Sequence, residues 1–61
     1  MYFIVSFEHG SGTYCANIVE AESKEAAESA YAEYEWAKAR HAENDEVNAM
    51  RRRGMPFITI D

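Results

Sequence analysis

The sequence holds a single cysteine, Cys15, in 61 residues. No disulfide can close within the chain, and a lone thiol fits a reducing compartment. With one proline and three glycines there is no linker, repeat or low-complexity segment. Apolar runs are short, far below the roughly 20 residues that a membrane-spanning helix needs. No charged start leads into an apolar stretch with a small-residue cleavage site, so the expected location is cytoplasmic, with no membrane partner. Bases are also scarce: six lysines and arginines stand against eleven acids, for a net charge of −5. This balance argues against general affinity for nucleic-acid phosphates and suits solubility and a basic partner.

Apolar residues are plentiful, at 48%, so disorder is not expected. A chain of this length makes one domain, residues 1–61, and buries only about 60% of its unfolded surface. Such small domains gain stability from metals or from partner subunits when disulfides are lacking. Residues 2–8 are β-branched and aromatic, the composition of a strand. Phe3, Val5 and Phe7 share one face and are predicted to form its core side. His9, Gly10, Ser11 and Gly12 supply turn chemistry, and residues 13–21 read as the second arm of a β-hairpin. On that arm Tyr14, Ala16 and Ile18 alternate with Cys15, Asn17 and Val19.

Ser23 is placed to cap a helix with Glu25 in its first turn. The 3.6-residue period puts Ala26, Ala27, Ala30, Tyr31 and Tyr34 on one arc, predicting an amphipathic helix over 23–35. The pattern then loses phase, because a continued helix would put Trp36 on the acidic arc and Lys38 on the apolar one. At period two, Trp36, Lys38 and Arg40 oppose Ala37, Ala39 and His41, predicting a short strand over 36–41. Asn44 is the expected cap of a second helix, with Val47 and Met50 inward and Arg51, Arg52 and Arg53 in its last turn. Gly54 is placed for a left-handed residue after that helix, and Pro56 for a stop. Residues 57–61 complete the chain as a strand. The expected fold is α+β, a small antiparallel sheet with one main helix and a shorter second one, in the order β-β-α-(β)-α-β.

Three stretches carry a resemblance. They are Ala16-Asn17-Ile18-Val19-Glu20-Ala21-Glu22-Ser23, the spacing of Tyr31, Tyr34 and Trp36, and Glu46-Val47 leading to Arg52-Arg53-Gly54-Met55-Pro56. The chain resembles a group of small, uncharacterised accessory proteins of phages and conjugative elements of anaerobic gut bacteria. Ala37 and Ala39 stand where that group carries more β-branched residues. The resemblance implies a mobile-element accessory and carries over no active site.

Candidate chemistry is sparse. Cys15, His9 and His41 could pair across a small sheet, but no motif for nucleophilic catalysis surrounds them, so no enzyme is expected. These residues also lack the close spacing of metal ligands, and neither metal nor cofactor is expected. The Gly10–Gly12 turn joins two strands and lacks a following lysine, unlike a phosphate loop. Arg51, Arg52 and Arg53 could grip phosphates, with Tyr31, Tyr34 or Trp36 offering stacking surfaces; arginines at a helix C-terminus also favour its dipole with no ligand at all.

Glu20, Glu22, Glu25, Glu28, Glu33 and Glu35 form an acidic array that can imitate a phosphate backbone. The favoured function is a non-catalytic protein-binding module whose contact residues are Glu25, Glu28, Glu35 and Trp36. Its partner would be a host nucleic-acid-acting protein that it inhibits. A nucleic-acid accessory working through the three arginines is the alternative, as is a homodimer formed at an edge strand or at Trp36.

Overall fold

The computed structural model describes residues 1–10 and 12–60. Ser11, read as part of the hairpin turn, and Asp61, read as the end of the last strand, lie outside the described residues. Strands β1 (Tyr2–Glu8), β2 (Tyr14–Glu20), β3 (Glu35–Ala42) and β4 (Phe57–Thr59) form one sheet in the spatial order β3-β1-β2-β4. Helices α1 (Lys24–Ser29) and α2 (Asn44–Arg52) complete the expected α+β order. No described helix is long and apolar enough to cross a membrane.

β1 is central and pairs antiparallel with both β2 and β3. β4 departs from the antiparallel expectation and joins β2 in parallel, Ile18 facing Phe57 and Glu20 facing Thr59. The crossovers explain this arrangement. α1 carries the chain from β2 past β1 to one edge, and α2 carries it back across the whole sheet to the other. Parallel crossovers keep one hand, so opposite directions of travel put the helices on opposite faces.

The core is therefore two-sided. On the α1 face Phe3, Val5, Phe7, Val19, Ala27 and Tyr31 are buried together. On the α2 face Ile4, Ile18, Ala42 and Val47 form a second cluster. A core on the Phe3 face alone was the expectation; Ile4 and Ile18 add another on the reverse side. Ile18, Val5 and Val19 are wholly buried, each stabilising by about 1.5–3 kcal/mol relative to exposure.

α1 is shorter than the periodicity predicts. Ser23 caps it as expected, its Oγ accepting the Ala26 N–H at 3.1 Å. The helix ends at Ser29, where the prediction carries it to 35, and the chain turns through bonds from Tyr31 N to Glu28 O and from Tyr34 N to Tyr31 O. Helix propensities differ by only tenths of a kcal/mol per residue among ordinary residues. Pairing of Glu35–Ala42 along β1 outweighs them, and the short strand predicted at 36–41 is present with one more residue at each end. Tyr31 and Tyr34 both still reach Phe7, with ring centroids 4.9 and 4.7 Å away.

α2 starts one residue earlier than expected. Glu43 is its N-cap residue and makes no side-chain capping bond, while Asn44 is the first helical residue. The C-terminus follows the expectation: Gly54 has φ +88°. Gly54 N–H donates to Arg51 O and Met55 N–H to Met50 O, the paired bonds of a Schellman motif.

Candidate functional site

The proposed contact residues lie on α1 and β3, which pack side by side. Glu25 and Glu35 are exposed, but Glu28 is half-buried. One oxygen of Glu28 accepts the backbone N–H of Ala39 at 3.0 Å. That amide points away from β1, so the carboxylate closes part of the outer edge of β3, a position otherwise open to another strand. Glu28 therefore holds the platform together, and its charge is partly turned inward. α1 runs from the end of β2 back toward the start of β3, which leaves Glu25 further from Trp36 than Glu28 is. Glu35 and Trp36 are neighbours at the start of β3, and Glu25 lies one turn of α1 before Glu28.

Trp36 stands out by exposure and by backbone. The residue is 70% exposed, and its φ is +61°, the sole positive value at a described residue other than glycine. A bulky residue in the left-handed region is a genuine conformational outlier. The cause is a register shift: Ser6 faces Lys38, but Glu8 faces Glu35, so β3 holds one residue more than β1 between those pairs. Such a bulge re-aims a side chain next to the break. Beside it lies an open depression of about 310 Å³ lined by Glu28, Ser29, Ala32, Tyr34 and Ala37. The sequence signal was the phase loss at residue 35, which located the break without revealing its left-handed backbone.

No family model matches the chain, and no curated protein or solved structure matches it.

Cys15 and His9 line a common open cleft of about 610 Å³ on the α1 face, with Phe7, Tyr31, Tyr34 and Ile58. Within it Asn17 Nδ2 donates to the Tyr31 hydroxyl at 2.8 Å. His9 packs on Tyr34, with ring centroids 5.5 Å apart. No hydrogen bond among the described residues joins Cys15 to a histidine. His41 is placed elsewhere, its ring against the edge of Phe3 at 5.9 Å and its Nδ1 3.6 Å from Glu43. The orienting chain that a thiol nucleophile needs is missing among the described residues, as is any group of three potential metal ligands.

Arg51, Arg52 and Arg53 are all exposed. Arg51 lies over the Phe57 ring at 4.7 Å, a cation–π contact that ties one of the three into the fold. The arrangement also contains a pair that sequence reasoning missed. Arg40 on β3 donates two hydrogen bonds to Glu46 on α2, at 3.0 and 2.7 Å. These bonds hold the Glu46 carboxyl below the usual glutamate range. The partners are six positions apart, and only the β3–α2 turn brings them together.

Proposed function

We propose that the chain is a non-catalytic protein-binding module acting in the cytoplasm, with Trp36 as its anchor and Glu35 beside it. One observation carries the reading: a tryptophan 70% exposed on a left-handed backbone. Strain of this kind persists where the surrounding structure holds it, and it clusters at sites of function. Exposed tryptophans are favoured as interface anchors. The acidic surroundings favour a basic partner. A nucleic-acid-acting protein, its phosphate-binding groove occupied by the carboxylates, agrees with the resemblance to mobile-element accessory proteins. Glu35 and Glu25 contribute charge to that contact, and Glu28 supports the platform.

The test is capture from a nuclease-treated lysate of the organism that encodes the chain, comparing wild type with three variants. Trp36→Ala and Glu35→Lys should each lose the captured protein, while Arg52→Gln should retain it. A partner retained by both Trp36→Ala and Glu35→Lys removes this reading. Recovery that depends on intact nucleic acid and on Arg52 transfers it to the arginines.

A further inference from the structure

The sheet has two edges, and they are finished differently. On β3 the Ala39 amide is covered by Glu28. On the other side β4 covers only part of β2. Ile18 N–H donates to Pro56 O, and Ile60 N–H to Glu20 O, so the even-numbered residues of β2 turn their backbone outward. By the same alternation Tyr14 and Ala16 face outward too, beyond the end of β4, whose pairing begins at Ile18. Neither backbone has a hydrogen bond to any described residue outside the strand pairing. Tyr14 is 74% exposed.

This open edge divides two unlike surfaces. Above it, on the α1 face, is the cleft of Phe7, His9, Tyr31, Tyr34, Pro56 and Ile58. Below it, on the α2 face, the last turn of α2 and its C-cap residue carry Arg51, Arg52 and Arg53, half of the six bases in the chain. The chain then enters β4 within a few residues, and Arg51 lies over Phe57, which faces Ile18. Glu8, opposite Tyr14 on β1, has one oxygen engaged by the Gly12 N–H at 3.1 Å.

We infer that the outer edge of β2 at Tyr14–Asn17 binds an extended peptide of another protein whose residues alternate apolar and acidic. Successive side chains of a strand point to opposite faces, so the apolar set enters the aromatic cleft while the carboxylates meet the arginines. The main chain pairs with Tyr14 and Ala16, the mode of strand addition. A second copy of this chain fits less well, because it brings the same three arginines to the shared edge. This surface is separate from Trp36 and stands or falls independently of the reading above.

The probe is a short, end-blocked peptide of alternating valine and glutamate, with a valine–lysine peptide as control. Amide exchange is followed residue by residue in the 15N-labelled protein. The acidic peptide should slow exchange at Tyr14 and Ala16 by about tenfold or more, and the lysine peptide should not. Ala16→Pro removes one outward donor at a position where an edge strand tolerates proline, and should abolish the protection at Tyr14. If that variant fails to fold, Arg52→Glu with Arg53→Glu should weaken binding instead. Unchanged exchange at Tyr14 and Ala16, or equal effects of the two peptides, would overturn the inference. So would protection that grows with protein concentration alone, which marks a second copy. Tighter binding of a short oligothymidylate at the arginines would overturn it as well.

Discussion

Replacing Trp36 by glycine and by alanine isolates the strain at that position. Both changes delete the same indole, so whatever the ring buries cancels in the comparison. The difference rests on a backbone with φ +61°. Left-handed backbone costs a residue with a Cβ about 1–2 kcal/mol. In an ordinary strand or helix interior, glycine is the poorer residue by about 0.5–1 kcal/mol. At residue 36 the first effect is larger, so Trp36→Gly should be more stable than Trp36→Ala by about 0.5–1 kcal/mol. In a domain of this size 1 kcal/mol moves Tm by about 4–8 °C, so the gap should lie at roughly 2–8 °C. Thermal and urea unfolding followed by far-ultraviolet circular dichroism measure it without the lost tryptophan signal. An alanine variant as stable as the glycine variant, or more so, refutes the left-handed assignment and with it the argument from strain.

Glu28→Ala should destabilise by about 1–3 kcal/mol, the range for an amide that loses a charged acceptor, with Glu28→Gln losing less. Exchange at the Ala39 amide should accelerate in both, and an unchanged rate counts against the edge-closing role. Arg40 holds the Glu46 carboxyl below its ordinary range through hydrogen bonds. A carboxyl depressed on folding stabilises above its unfolded pKa, and the effect is lost as pH falls through the folded value. Both groups face solvent, so the effect should be small: urea midpoints of wild type and Glu46→Gln should differ near neutrality and converge in acid, and a constant offset would contradict the pairing. At Gly54, with φ +88° and nothing within 4 Å of an added Cβ, the cost of alanine is in the backbone. Gly54→Ala should lose about 1 kcal/mol or more by denaturant unfolding, whereas D-alanine introduced by synthesis should not, and equal losses would refute the Schellman ending.

What the sequence made legible was local. Period-two alternation in Tyr2–Glu8, the Ser23 cap and Gly54 after the arginines each depend on neighbours a few residues away. The limits appear where distant elements decide. Tyr31 and Tyr34 fit a longer helix, yet pairing of β3 with β1 ends α1 at Ser29. Ile4 and Ile18 sat on the reverse face of the hairpin as two apolar residues opposite one another, a signal for a second core that only the return of α2 completes. The parallel sense of β4 follows from that same crossover. Of the candidate site, the acidic stretch and the break before Trp36 were visible. The inward engagement of Glu28 was not, because it joins residues eleven apart across two elements.

The spatial order of the strands differs from the order in which a ribosome delivers them. β1 emerges first and occupies the middle, β2 can fold onto it at once, and β3 arrives only after α1. β4 comes last of all and takes the edge beside β2. Until Pro56 and Ile60 are made, the Ile18 amide and the Glu20 carbonyl have no sheet partner on that side. During synthesis, the whole outer edge of β2 is thus a docking strip in waiting. An unpaired strand edge of this kind is the sort of surface that chaperones and neighbouring nascent chains can engage.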